Sequence, residues 1–220
     1  MRVGILLTGA ALLLAACDPV TVPERNGTEV FDFRLPLGAD SAVMRWPAAS
    51  RIAVYVNPAP EAERTTLLAE SFTHGAAGWE AASLYGTYRF AQADTPQDAD
   101  VILTWSDVAT PVVTANCQPS GGAAFTTFCL EGNHLALYPF QNNQPSHVRF
   151  IVTVRASEAA NRTRVMTLVM HELGHVLGLA QHSPNPADLM FTNPLDRNEP
   201  NARDRASVQL LYQLQADITP

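Results

Sequence analysis

Lysine is missing from this chain: all fourteen basic residues among its 220 are arginine. Schiff-base and serine–lysine chemistries are thereby excluded, since both need an ε-amine. Basic clusters are missing too, and the net charge is −7, so nucleic acid is not an expected partner. No internal repeat is visible, and after the first sixteen residues no hydrophobic run approaches the ~20 residues that span a bilayer. Cysteine is scarce, with three in all. The remaining length suits one domain with one sizeable core, expected to be a monomer.

The N-terminus reads as an export signal. Arg2 supplies the positive start, and Val3 to Ala16 is an apolar run too short to cross a membrane. It closes on Leu14-Ala15-Ala16-Cys17, which resembles the bacterial lipobox. The resemblance implies removal of residues 1–16 and lipidation of Cys17. The lipid would then be the anchor, at the periplasmic side of the inner or outer membrane or at the cell surface. Ordinary cleavage after Ala16, leaving Cys17 a spare thiol, is the alternative. With Cys17 set aside, Cys117 and Cys129 form an even pair in an exported chain, and one disulfide closing a short loop is expected. A thiolate zinc site would need more ligands, and His134 is the one nearby candidate.

The densest chemistry lies in His171-Glu172-Leu173-Gly174-His175-Val176-Leu177-Gly178-Leu179-Ala180-Gln181-His182-Ser183. At about 100° per residue, His171 and His175 project from one face of a helix, the spacing at which two ring nitrogens share one Zn²⁺. Glu172 stands beside that face, placed to act on water at the metal and not to ligate it. Val165, Met166, Leu168, Val169, Met170, Leu173, Val176, Leu177 and Leu179 make the segment apolar nearly all round, so the helix is buried. Buried imidazoles and a buried carboxylate are costly unless paired or bound to metal. Gly178 is the expected helix stop, because glycine adopts the left-handed conformation without a Cβ penalty.

This run resembles the metzincin metallopeptidases, most closely their matrixin-like members. Their pattern is H-E-x-x-H-x-x-G-x-x-H, often continuing into serine, with a methionine turn further on. His171, Glu172, His175, Gly178 and His182-Ser183 match it, as does Met190 within Asp188-Leu189-Met190-Phe191. The resemblance implies His171, His175 and His182 as ligands of one catalytic Zn²⁺, Glu172 as general base, and Met190 as a packing residue beneath the site. It also implies an α+β zincin-like domain: a twisted mixed sheet, an active-site helix, the methionine turn and a C-terminal helix. One residue departs from the pattern. Three residues, Leu179-Ala180-Gln181, separate glycine from histidine where two are usual. Either the loop bulges and His182 ligates, or Gln181 takes that place; an amide oxygen is the weaker zinc ligand, which favours His182. No counterpart of the family's calcium loops is evident, so calcium is left open.

Around the motif, residues 17–50 are rich in proline and polar groups and read as a tether followed by an N-terminal arm. Residues 51–220 form the peptidase-like domain. Strands are expected at Arg51–Val56, Tyr88–Ala93, Asp100–Trp105, Ala123–Phe128, His134–Phe140 and Arg149–Arg155, and an amphipathic helix over Pro60–Leu84. Asn201 is the expected N-cap of a last helix with Asp204 at N3 and Val208, Leu211 and Leu214 inward. In metzincins a peptide substrate joins one sheet edge as an added strand, and Ala123–Phe128 and His134–Tyr138 are both candidates for it. His74, His134 and His147 are expected on the surface or in loops. The implied activity is zinc-dependent endopeptidase action on peptides or proteins. A zincin-fold binding lipoprotein without turnover and a zinc amidase acting on cell-wall peptides are the rivals.

Overall fold

Two short strands, β1 (Leu35–Leu37) and β2 (Asp40–Ala42), open the fold as an antiparallel hairpin. The computed structural model describes residues 29–107, 117–118, 122–138 and 147–220. The expected signal, the lipobox and Cys17 lie outside these residues. The hairpin belongs to an arm whose Phe31, Phe33, Val43, Met44 and Trp46 are buried in the same core as the rest of the chain. Proline and polar residues interrupt the arm, so its apolar positions fall with no long period. Tertiary contact, not local pattern, orders it.

The main sheet contains β3 (Ser50–Val56), β4 (Tyr88–Gln92), β5 (Val101–Ser106), β6 (Cys117–Gln118), β7 (Ala124–Glu131), β8 (His134–Leu135) and β9 (Phe150–Arg155). Its order is β4-β3-β5-β9-β7-β6, with β8 paired to β7. The first four in that order run parallel, while β7 is antiparallel to β9 and to β6. Period-2 alternation decides the two faces. Ile52, Val54, Val101, Leu103, Val152 and Val154 enter the main core, whereas Ala53, Tyr55, Ile102 and Ile151 cover a small second cluster behind the sheet.

Three helices follow from the apolar stripes: α1 (Ala62–Ala82), α2 (Arg162–Leu177) and α3 (Ala202–Leu211). Trp79 of α1 is fully buried and donates its indole N–H to Met170 O of α2 at 2.7 Å, tying the two together. α2 also packs on β7 and β9, and α1 on β3 and β4, so the most fully buried helix lies in the centre. Fully burying a Leu or Val side chain stabilises by about 1.5–3 kcal/mol. Val165, Val169, Leu173, Val176 and Leu177 of α2 are all at or near zero exposure.

Two expectations need adjustment. The strand expected over His134–Phe140 shrinks to His134–Leu135, after which Ala136 to Tyr138 carry no strand pairing; residues 139 and 140 lie outside the described range. Glu131 and His134 pair across a tight turn, with Gly132 at φ +59°, and this closes the hairpin. The strand at Ala123–Phe128 is conversely longer, reaching Glu131. Cys117 and Cys129 are joined as a disulfide, opposite one another across β6 and β7.

Candidate metal centre

Asn161 starts α2 by accepting the N–H of Arg164, and Gly178 ends it at φ +110°. A side chain at Gly178 would strike the Met44 carbonyl, so both backbone conformation and the arm's close approach demand glycine. His171, Glu172 and His175 thus sit in the last two turns of a helix sealed at both ends. His171 and Glu172 are buried.

Each helix imidazole is oriented through its other nitrogen. His171 Nδ1 lies 2.7 Å from Leu189 O, and His175 Nδ1 lies 2.6 Å from Leu179 O. A carbonyl can only accept, so both Nδ1 atoms carry the proton and both Nε2 atoms present lone pairs. Those two Nε2 atoms are 3.1 Å apart. Neither can donate to the other, so the contact is two lone pairs aimed at one point, stable when a cation lies between them. Nitrogens each 2.0–2.1 Å from one tetrahedral ion sit about 3.3 Å apart, close to what is found here. The third ring, His182, stacks on His171 at 5.2 Å between centroids and meets His175 edge-on at 5.0 Å. One nitrogen from each of the three rings falls within 4.8 Å of the other two. Among the described residues, this is the one group of three or more ligand-type side chains close enough to share an ion. The donor set fits zinc.

Gln181 is not in this cluster. Its amide donates to Arg34 O at 2.9 Å and to Asp32 at 3.3 Å, both on the arm. The Gln181 side chain turns to the arm, and His182 is the ring brought to the site. Ser183 follows with its N–H on Met190 O at 2.7 Å and its hydroxyl on Asp188. Met190 is fully buried with its sulfur against Gly174, beneath the imidazoles, where any side chain on Gly174 would collide with it and with Trp79.

Electrostatics agree with the geometry. Burial, and then the neighbouring His175, hold the His171 imidazole well below the usual value. Burial and then His182 lower His175 to about 4, and burial lowers His182 as well. All three rings are neutral at pH 7, the form that ligates a metal. Glu172 goes the other way: burial pushes its carboxyl up to about 8, opposed by the Thr126 hydroxyl that donates to Oε2 at 2.7 Å. The cleft above these groups has a volume of about 240 Å³ and is lined by Ala124 at the start of β7 and Ala123 just before it, by His171, Glu172, His175 and His182, and by Arg164 and Thr192–Pro194. Arg164 braces its outer wall, donating to Asn193 Oδ1 at 2.7 Å and to Pro194 O.

The sequence model of the matrixin family matches residues 51–213, most of the chain. The chain belongs to the matrixin family. Its fold is accordingly the α+β zincin type, and the family is one of metallopeptidases that use zinc. No curated protein matches the chain individually.

Two residues that shape this matrixin's site, Thr126 and Asp204, carry no signal of that role in the sequence. Thr126 lies 46 positions from the carboxylate it holds. Asp204 of α3 is fully buried and accepts the N–H groups of Leu189 at 2.8 Å, Met190 at 3.1 Å and Asn201 at 3.0 Å. It fixes the very peptide whose carbonyl orients His171. As an N3 acid it was legible as half of a capping box with Asn201, which the structure contains. Its grip on the methionine turn was not. His134 and His147 are exposed and His74 is partly buried on α1, all away from the three-ring cluster.

Proposed function

We propose that this matrixin is a zinc-dependent endopeptidase in which His171, His175 and His182 hold the ion and Glu172 is the general base. The observation that carries the reading is the pair of Nε2 lone pairs 3.1 Å apart beside a buried carboxyl raised to about 8. A bound zinc ion supplies Lewis acidity toward water and toward the scissile carbonyl. Glu172 then takes a proton from the attacking water and later returns it to the leaving amine. A buried carboxyl with a raised pKa is suited to both halves, and a nearby cation stabilises its ionised form when the base is needed. Thr126 keeps one oxygen of that carboxylate engaged, which limits the rotations open to the other.

The substrate is a peptide or protein laid along β7, whose first residue Ala124, with Ala123 just before it, lines the cleft. His134–Leu135 pairs with the far end of β7 and contributes nothing to the lining of the cleft, which favours the first of the two candidate edges. The protein is further proposed to be an exported monomer tethered through a lipid on Cys17, the reading supported by Arg2, the apolar run and Leu14-Ala15-Ala16-Cys17. From Cys17 to Glu29 a fully extended chain reaches about 40 Å, so the cleft would work close to the membrane surface.

The decisive measurement is metal content of the purified protein together with hydrolysis of a quenched peptide library. One zinc per chain and hydrolysis abolished by chelator are expected, with activity restored by added zinc. Zinc-loaded protein that cleaves no peptide would leave a binding protein in place of a peptidase.

A further inference from the structure

The family match begins at residue 51, yet the arm before it reaches into the metal centre. Between Val176 and Gln181 the arm touches the ligand-bearing segment at four of six positions. Trp46 donates its indole N–H to Val176 O at 2.8 Å in a buried contact. The Met44 carbonyl sits against Gly178. Phe33 O accepts the N–H of Ala180 at 2.9 Å, and Arg34 O accepts the Gln181 amide at 2.9 Å, with Asp32 beside it at 3.3 Å. These contacts bracket Leu179, whose carbonyl orients His175, and end one residue before His182.

His182 itself has little to hold it. It is exposed, it lies beyond the helix end, and its downstream support comes from Ser183 on the methionine turn. A loop residue free to swing would present its nitrogen to the ion for a fraction of the time, and ion affinity falls with that fraction. We propose that the N-terminal arm is a positioning element of the metal centre, gripping the ligand loop through Gln181, one of the three residues that stand where the usual spacing has two. Gln181 is thus a handle: its side chain anchors the ligand loop to residues 32–34. The inference rests on the metal-centre reading and adds that the centre is completed from outside the family-matched domain.

A merely structural arm would predict something different. The Gln181 contacts lie at an exposed surface, where a hydrogen bond contributes little to global stability. Their loss should therefore leave folding nearly unchanged while loosening the ligand. The test uses the full chain with Gln181→Met, which keeps length and removes the donor. Gln209→Met serves as control, because Gln209 makes an equivalent amide contact to Ala82 O at 3.0 Å away from the centre. Two readouts apply: the rate at which zinc passes to an excess of chelator, and the visible absorption of the Co²⁺-substituted protein, which reports ligand geometry directly. Gln181→Met should release zinc about 10-fold faster and shift the Co²⁺ bands, with metal-free melting within error of the control. Gln209→Met should change neither readout. Wild-type release and an unaltered Co²⁺ spectrum in Gln181→Met would overturn the arm's role, and so would the same acceleration in both variants. A wild-type chain that takes up no ion would instead bring down the metal reading and this proposal together.

Discussion

The two halves of the metal centre are built on different principles. His171, Glu172 and His175 ride on α2, where 3.6-residue periodicity sets where each side chain leaves the backbone and the Leu189 and Leu179 carbonyls have only to orient the two rings. His182 rides on a loop, where nothing local sets its position. It depends on Gly178 to reverse the chain, on the arm to hold Ala180 and Gln181, and on Asp188 and Met190 to receive Ser183. Rigidity in the first half is intrinsic to the element. In the second half it is borrowed from three other parts of the molecule. A helix with two ligands can be exchanged between folds; a loop ligand of this kind can work only in the tertiary setting that holds it.

The sharpest way to probe the helical half is to remove the proposed base and leave the proposed ligands. Glu172→Gln should lower kcat by about 10²–10⁴-fold with zinc content unchanged, as judged by peptide turnover and metal analysis of one preparation. Normal turnover would show that the carboxyl is not the base. On the loop side, His182→Ala should reduce zinc occupancy measured after gel filtration, whereas Gln181 variants should stay fully loaded at saturating zinc and differ only in release rate. Loss of occupancy in Gln181→Met with retention in His182→Ala would reverse the assignment of the third ligand.

The junction between the halves is the next target. Gly178→Ala forces a side chain into a φ of +110° and against the Met44 carbonyl, and should cost about 3 kcal/mol or more in denaturant unfolding. If the substitution were neutral, the close approach of arm and helix end would not be what orders the loop.

The protonation states offer a subtler contrast. In the metal-free protein the Glu172 carboxyl binds its proton more tightly folded (about 8) than unfolded, near 4.5. The folded state therefore holds more protons between those values, and stability declines as pH rises through them. Glu172→Gln removes that decline, so the variant should match wild type near pH 4 and become progressively more stable than it toward pH 8. His175, lowered to about 4, works in the opposite sense: its contribution grows as pH rises from about 4 to 6.5 in both proteins and cancels in the difference. Parallel pH–stability curves for the two chains would show that Glu172 is not held as the neutral acid. The smallest effect belongs to α3: Asn201→Ala removes the cap that accepts two N–H groups and should cost about 1 kcal/mol, read as a modest fall in melting temperature. A larger loss accompanied by weaker zinc binding would mean that α3 reaches the centre through Asp204 more strongly than through its own folding.

Most of the architecture could be read from residue order. Alternation at Arg51–Val56 marked a strand, and Gly178 and Asn201 marked helix ends, because such signals are short-range and single residues suffice to carry them. The arm defeated that approach. Phe31, Phe33 and Trp46 are buried by partners more than a hundred residues away, and short segments between prolines leave no period to detect. The strand at His134 was overextended for a related reason: Leu135 and Tyr138 are apolar enough to suggest pairing, but after Ala136 donates to Cys129 O of β7 the chain leaves that strand and Tyr138 donates instead to Val148 O.

What belonged to the sequence alone is the chemistry: two imidazoles and a carboxylate on one helical turn, a glycine stop and a third imidazole just beyond it. Periodicity and ligand type are local properties, so they survive translation into three dimensions unchanged. Which residue after the glycine would face the ion was decided by the fold. Gln181 and His182 are neighbours in the chain, and only the arm's carbonyls on one side and the methionine turn on the other send the first outward and the second in. A one-residue register in a loop has no local energy to choose it, so contacts from distant segments make the choice.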